Sequence, residues 1–232
     1  MPAIEAILGR HSTREGFVDR SIDGAILSEI VRCGLAAPSS KNARPWRLHV
    51  VTDRDVLRSL ASTVQSEPGG QSYVPHDPRT GRPRPEYHST VVESAHVLAQ
   101  VPAAIFVENL GLFSGGRATL GAATPEALTS SLVGYTFEIV GVAAAIQNMW
   151  VAAHALGVQA AFMGDIVIAE AAIAERLGIE GDLIGVLALG YTDTSGHPRK
   201  VPDAMDPSRV VWHPRSCRPS ATKTERRVIA TF

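Results

Sequence analysis

Residues 10–14 carry a dense group of side chains that bind anions. The segment reads Arg-His-Ser-Thr-Arg, so two guanidinium groups, an imidazole and two hydroxyl groups stand within five residues. Charge-assisted hydrogen bonds from arginine are strong and match the geometry of phosphate oxygens. The segment therefore predicts a phosphate site. A solvated basic turn has the same composition and, for this segment taken alone, is the more common structure.

A second segment, residues 37–46, carries hydrogen-bonding groups between two prolines. It reads Ala-Pro-Ser-Ser-Lys-Asn-Ala-Arg-Pro-Trp. The prolines restrict the backbone near both ends, and hydroxyl, amine, amide and guanidinium groups stand between them. A rigid loop of this kind suits the hydrogen-bonding edge of a heteroaromatic ring. The alternative is an ordinary Asx-type or Ser-type turn that links a helix to a strand.

Composition and motif content argue against several other classes of protein. The chain has 232 residues and a net charge of −1, which fits one domain, with or without arms, and gives no sign of nucleic-acid or membrane-surface binding. Cys33 and Cys217 are far apart and form no metal-ligand pair. The sequence has no G-x-G-x-x-G after a strand, no Walker A motif, no H-E-x-x-H and no G-x-S-x-G. A conventional dinucleotide-binding domain, a metal hydrolase and a triad hydrolase therefore have little support.

Hydrophobic periodicity predicts the helices and strands that must hold these two segments. Helices are expected at about 1–10, 23–35, 53–64, 90–100, 135–156 and 169–177, and strands at about 48–51, 103–107, 158–163 and 184–189. Asp23 and Asp53 are suitable N-caps. The central helix, 135–156, is rich in small residues, and we expect it to be covered on most sides. The mixture indicates an α+β layer fold.

Two internal segments show no periodicity and are predicted to be loops. Residues 66–88 are rich in proline, glycine and charge, which is typical of lids, binding loops or disorder, and residues 109–131 are rich in glycine. After Pro202 the chain is polar and is expected to form an extended arm. Met1–Arg10 lacks the pattern of a signal peptide, and the most apolar stretch, Ile139–Ala155, falls short of a bilayer span. Together with the few cysteines, these features predict a soluble cytoplasmic protein.

The two segments follow one another as they do in a known family. Arg10-x-Ser12-x-Arg14, followed by the Ala-Pro-Ser-Ser-x-Asn-x-x-Pro-Trp run, resembles the nitroreductase family. Residues 147–157 resemble that family's central helix, and residues 161–164 resemble the strand end that contacts the flavin. Residues 189–200 resemble its last strand and the basic segment that follows it. The resemblance implies an FMN-binding domain over 1–202 and a C-terminal arm over 203–232. It also implies a central, mostly antiparallel sheet flanked by helices, in an intertwined homodimer.

The resemblance further implies which residues bind FMN. The phosphate would be held by a basic and hydroxyl-bearing set, namely Arg10, Ser12, Arg14 and Arg199, with His11 near the ribityl chain or the ring. The isoalloxazine would be bordered by residues of the second subunit, namely Pro38, Ser39, Ser40 and Asn42. Met163 and Gly164 would lie against the ring, where a backbone N–H would donate to flavin N5. No catalytic side chain and no metal site is implied, because the cofactor does the redox chemistry.

The implied activity is ping-pong hydride transfer from NADPH or NADH through FMN to a nitroaromatic, quinone-like or similar acceptor. One alternative is an FMN-dependent dehydrogenase, oxidase or reductive dehalogenase acting on a specific biosynthetic or catabolic intermediate. Another is a non-enzymatic flavin-binding protein. The segments 66–88 and 109–135 fall where the family covers its substrate. Four aromatic residues are therefore candidates for stacking on a substrate, with ordinary packing as the alternative: Tyr73, Phe113, Tyr135 and Phe137.

Overall fold

The computed structural model describes residues 1–193 and 209–213. The chain divides into two units, Met1–Arg199 and Lys200–Phe232. Every helix and strand of the described residues belongs to the first unit. Arg199 and nearly all of the predicted arm lie outside the described residues, so both stay predictions. Within the second unit, the described residues include Val211 and Trp212, and both are exposed.

A four-stranded antiparallel sheet forms the centre of the described part of the first unit. Its strands are β1 (Trp46–Val51), β2 (Ala103–Asn109), β3 (Gln159–Met163) and β4 (Asp182–Gly190), arranged in the order β1-β2-β4-β3. All three neighbouring pairs are antiparallel. β2 and β4 are central and mostly apolar, as strands with both faces covered usually are. β3 lies at an edge, so its outer backbone groups are open to another segment.

Seven α-helices are found in the described residues, and they cover both faces of the sheet. They are α1 (Ala3–Gly9), α2 (Gly24–Leu35), α3 (Arg54–Ser66), α4 (Val91–Gln100), α5 (Gly116–Gly121), α6 (Pro125–Ala155) and α7 (Glu170–Leu177). α3, α4 and α7 share one core with Phe106, while α2 and α6 share the other with Ile105. Successive strand residues face opposite sides, so neighbours on β2 belong to different cores. The predicted α+β layer fold is confirmed.

The two aspartates predicted as N-caps do start their helices. Asp23 Oδ1 accepts a hydrogen bond from the N–H of Ala25 at 2.7 Å, and Asp53 Oδ1 accepts one from Asp55 at 2.8 Å. Each bond satisfies a backbone donor that has no partner within its helix, which is worth about 1 kcal/mol. The caps fix where α2 and α3 begin, and α2 in turn leads into the proline-bounded segment at 37–46.

The central helix is longer and more exposed than its sequence pattern predicts. α6 begins at Pro125 rather than Tyr135, and α5 precedes it, so the prediction of an irregular segment over 109–131 is wrong. Thr124-Pro125 is a typical helix start, with proline at the first helical position. No residue of α6 before Gly134 is buried. The expectation that α6 is covered on most sides is also wrong for the single chain, because its exposed apolar residues include Leu128, Leu132, Val133, Phe137 and Val140.

By length and composition alone, α6 is the one helix in the described part of the chain that meets the criterion for crossing a membrane. Only 28% of its qualifying window is buried. The expectation that the apolar stretch falls short of a span therefore does not hold for the helix as a whole. Core helices of soluble proteins meet the same criterion, so this is weak evidence for a membrane span. What the structure does show is an apolar face of α6 that the described residues leave uncovered.

A buried carboxylate ties the segment after β2 to the middle of α6. Glu138 Oε1 accepts hydrogen bonds from the backbone N–H groups of Phe113 and Ser114, and Oε2 accepts from Asn109 Nδ2 at 3.0 Å and Ser114 Oγ at 2.7 Å. Burial acts to raise the pKa of Glu138, but these bonds outweigh it and hold the pKa below its usual value. The ionised carboxylate therefore stabilises the course of the chain between β2 and α6.

Candidate functional site

Residues 10–14 run along the outer side of the edge strand β3. Thr13 is buried. Its N–H donates to Ala160 O at 3.0 Å, and its hydroxyl donates to Gln159 Oε1 at 3.0 Å. Ser12 and Arg14, on either side of it, are exposed. One residue of the segment thus anchors it to the sheet, and the hydroxyl and guanidinium groups beside it are available to a ligand.

Arg10 and His11 lie against the C-terminal part of α6. The Arg10 guanidinium carbon is 4.2 Å from the centroid of the Trp150 ring, which is a cation–π contact. The His11 ring meets that of His154 edge-on, with 5.9 Å between the ring centroids. Burial, followed by the charges of His11 and Arg10, lowers the pKa of His154, so His154 is neutral at neutral pH. The buried Nε2 of His11 has no hydrogen-bond partner among the described residues.

Arg14, Met163 and Gly164 line one open cleft at the end of β3. The cleft has a volume of about 380 Å³, and Phe162, Thr90, Glu93, Ser94 and Asp165 complete its lining. Met163 is buried, whereas Gly164 is exposed and has no side chain to keep a ligand from the backbone. The structure therefore brings together three of the residues predicted to bind the cofactor: a cation, an apolar side chain and an accessible backbone.

The Pro38–Asn42 loop is fixed in an unusual backbone conformation. Lys41, Asn42 and Arg44 all have positive φ values, of 51°, 53° and 50°. Such values are uncommon for residues other than glycine, and they cluster at functional sites. Ser39 supports the loop, since its hydroxyl oxygen accepts the N–H of Arg44 at 2.9 Å and its carbonyl accepts the N–H of Asn42 at 3.0 Å. The predicted loop is present as a short 3₁₀ turn, Ser40–Asn42.

The loop packs on α6, away from the Arg14 cleft. A Cβ added at Gly141 of α6 would lie 3.1 Å from the Cβ of Ser39 and 3.4 Å from the Trp46 ring, so glycine permits this close approach. None of the predicted residues Pro38, Ser39, Ser40 and Asn42 is among the described residues that line the cleft. Within one chain, the two halves of the predicted site stay apart.

The residues of the cleft fit one part of an FMN molecule. Arg14 of the cleft supplies a cation for a phosphate. Beside it in the chain, Ser12 carries an exposed hydroxyl, and the buried Nε2 of His11 has no hydrogen-bond partner among the described residues. Met163 and the exposed backbone of Gly164 suit the flat face of a ring. Arg199 lies outside the described residues, so its predicted role stays a prediction.

Three residues near the site escaped prediction from the sequence. Trp150 lies inside the predicted central helix at 135–156, and Thr90 lies at the start of the helix predicted over 90–100. Asp165 directly follows the strand end at 161–164, and the sequence gives none of the three a role at the site. No spacing rule connects Trp150 to Arg10 or Thr90 to Asp165, because each pair is far apart in the sequence and meets only through the packing of α4, α6 and β3.

The site lies within the region that matches a known family. The model of the Nitroreductase family matches residues 7–191, which is most of the chain. The chain therefore belongs to the nitroreductase family, as the resemblance predicted. A comparison with curated proteins gives no match.

Solved structures with the same fold include several flavoproteins. An FMN-dependent nitroreductase from Clostridium difficile R20291 superposes with a TM-score of 0.60 at 19% identity, covering 91% of this chain and 99% of that one. A nitroreductase with bound FMN from Desulfitobacterium hafniense DCB-2 gives 0.59 at 20%, covering 92% and 100%. A Parabacteroides distasonis protein, provisionally named NADH dehydrogenase/NAD(P)H nitroreductase, gives 0.59 at 21%, covering 91% and 98%. The family and these neighbours together support FMN-dependent oxidoreduction as the class of activity.

Proposed function

We propose that this protein is an FMN-dependent oxidoreductase that transfers a hydride from NADH or NADPH to a nitroaromatic, quinone-like or similar acceptor. The observation that carries the proposal is the cleft that Arg14 shares with Met163 and Gly164. It combines a cation for a phosphate with an apolar surface and an open backbone for a ring. The proposal also includes a soluble, cytoplasmic protein, for which the family is the support.

In this proposal the chain's own residues bind and orient the cofactor. The phosphate is held by Arg10, Ser12, Arg14 and Arg199, with His11 near the ribityl chain or the ring. Met163 and Gly164 lie against the isoalloxazine. Bound FMN would supply two-electron chemistry, since it accepts a hydride from the nicotinamide and passes the electrons to the acceptor. We assign no obligatory acid or base to a side chain, because the protein's contribution is position and electrostatics.

We further propose that the ring is bordered by Pro38, Ser39, Ser40 and Asn42 of a second copy of the chain. Two observations support a shared site. The strained 38–42 loop does not line the Arg14 cleft of its own chain, and α6 has an apolar face that the described residues leave uncovered. A homodimer built across α6 buries that face and supplies the missing loop.

A complementation experiment tests the shared site. Arg14→Ala removes a phosphate ligand, while Asn42→Gly removes an amide at the ring and keeps the positive φ. Each variant alone is expected to lose activity. When the two are co-expressed, half of the dimers are hybrids with one intact site, so about a quarter of the wild-type activity should return. Two variants that stay inactive together, in dimers that form and exchange, would contradict the shared site.

Steady-state kinetics test the order of events. In the ping-pong mechanism NAD(P)H and the acceptor occupy the same binding site in turn, which gives parallel lines in double-reciprocal plots. Intersecting lines would contradict the ping-pong mechanism. Reduction only by an organic donor other than NADH or NADPH would instead identify the dehydrogenase or oxidase alternative. FMN that stays oxidised with every donor would identify a binding protein without enzymatic activity.

A further inference from the structure

Within the long segment after α3, residues 75–84 form an ordered structure rather than an irregular loop. His76 and Pro83 form an antiparallel bridge, and the N–H of Asp77 donates to Arg82 O at 2.9 Å. The N–H of Arg84 donates to Pro75 O at 2.9 Å. Asp77 Oδ1 accepts the N–H groups of Arg79 and Thr80, which closes the turn. These bonds give residues 75–84 the form of a short hairpin, so they can line a binding site with a defined shape.

The first strand of this hairpin and residues on both sides of the hairpin line a partly open chamber beside the Arg14 cleft. The chamber has a volume of about 750 Å³, and its walls include Tyr73, His76, Tyr87 and His88. A chamber of this size matches a small-molecule site. Thr90, Gly164 and Asp165 line both the chamber and the cleft. A molecule in the chamber would therefore lie next to the surface on which we propose that the flavin ring sits.

Asp165 lies where the two cavities meet, and only one of its two carboxylate oxygens accepts a hydrogen bond from the described residues. The Thr90 hydroxyl donates to its Oδ2 at 2.6 Å. Its Oδ1 is screened from solvent and receives no hydrogen bond from the described residues. Thr90 thus holds the carboxylate in place, and Asp165 puts a negative charge where the two cavities meet.

The charged side chains among the described residues that line the chamber are all acidic. Glu86 and Asp165 are its carboxylates, and neither lysine nor arginine is among the described residues that line it. In the adjoining cleft, by contrast, Arg14 stands with Glu93 and Asp165. The chamber therefore favours a cation or a hydrogen-bond donor, while a phosphate is served on the side of Arg14.

We propose that the chamber binds a planar acceptor that carries a cationic or hydrogen-bond-donating substituent, and that Asp165 recognises this substituent. The two tyrosines and two histidines supply flat surfaces for the ring, and Asp165 sets its orientation at the cleft. This inference rests on the proposed function, because it takes the flavin to lie in the cleft. It adds the class of acceptor, which fold and family leave open, and makes Asp165 a specificity-determining residue.

The test compares two nitroaromatic probes that differ in charge. FMN-loaded protein is assayed with 4-nitrobenzylammonium and with 4-nitrobenzoate, and the ratio of their kcat/KM values is measured. We expect the cation to be preferred. Asp165→Asn keeps an oxygen for the Thr90 hydroxyl and removes the charge, so the ratio should fall by about tenfold, the effect of losing one charge-assisted hydrogen bond. Glu175→Gln, an exposed position on α7 that does not line the chamber, is the matched control and should leave the ratio unchanged.

A binding measurement separates recognition from turnover. Benzylammonium and benzoate lack a nitro group for the flavin to reduce, so calorimetric titration into the FMN-loaded protein reports affinity alone. The cation should bind more tightly to wild type, and Asp165→Asn should remove that preference. If wild type shows no preference between the cationic and the anionic probe, or if Asp165→Asn keeps the wild-type preference, this inference is overturned. FMN binding and reduction by NAD(P)H would be unaffected by that result. Protein that takes up no FMN overturns the proposed function itself.

Discussion

The contact between Arg10 and Trp150 gives a prediction about FMN affinity that does not depend on turnover. With the guanidinium carbon 4.2 Å from the ring centroid, the pair is well inside the ~6 Å range of a cation–π interaction, which contributes about 0.5–2 kcal/mol. Trp150 lies on a partly covered part of α6, where it packs against the core under β2 and β4. We expect Trp150→Leu to release Arg10 from its position and to raise the Kd for FMN by about 2–30-fold.

The assay is a titration of FMN with apoprotein, followed by the quenching of flavin fluorescence. Trp150→Phe is the matched control, because it keeps an aromatic face for the guanidinium and should retain most of the affinity. Thermal unfolding of each apoprotein reports any loss of packing separately. Equal Kd values for wild type and Trp150→Leu would refute the reasoning.

A double-mutant cycle shows whether Trp150 acts through Arg10. In an Arg10→Ala background the guanidinium is absent, so Trp150→Leu should change the Kd for FMN little further. If Trp150→Leu weakens FMN binding as much in that background as in wild type, Trp150 contributes by another route and is not a positioning residue for Arg10.

Three further changes test other parts of the account. Arg10→Ala combined with Arg199→Ala should cause FMN to dissociate on dilution, because charged hydrogen bonds contribute about 1.5–3 kcal/mol each; retention through gel filtration would count against the phosphate assignment. Folding lowers the pKa of Glu138 from 4.5, so its contribution to stability is present above that pH and is lost as the pH falls through the folded-state pKa. Glu138→Gln should lower the free energy of unfolding at pH 7 by roughly 2 kcal/mol, and in urea titrations its stability should fall less steeply than wild type at acid pH. An equally steep fall would exclude this role for Glu138. Gly185→Ala would place a Cβ 2.6 Å from the Phe162 ring and 2.7 Å from Met163 O, at a φ of 150°. The substitution should therefore destabilise the protein at the β3 edge by about 2 kcal/mol or more. A melting temperature equal to that of wild type would contradict this.

The elements that the sequence predicted well are those whose signals are local. Asp23 and Asp53 cap their helices because a side-chain oxygen and the following N–H groups are neighbours in the chain. The start of α6 was missed because no residue before Gly134 is buried in one chain. Periodicity reports a face that packs, and the described residues bury no side chain in this part of the helix.

The candidate site was predictable in its residue types but not in its assembly. Arg14, Met163 and Gly164 were each assigned through the family resemblance, and the fold brings them to one cleft. The hairpin at 75–84 was expected only as a polar loop, because its backbone bonds leave no pattern in hydrophobicity. The link between Thr90 and Asp165 depends on how α4 packs beside β3, which no local rule specifies.

The central claim, that this chain binds FMN and uses it for NAD(P)H-dependent reduction, is tested most directly by anaerobic absorbance measurements. Purified protein loaded with FMN should be yellow, bind one FMN per chain, and lose its flavin absorbance when one equivalent of NADH or NADPH is added. Colourless protein that takes up no added FMN would contradict the whole account.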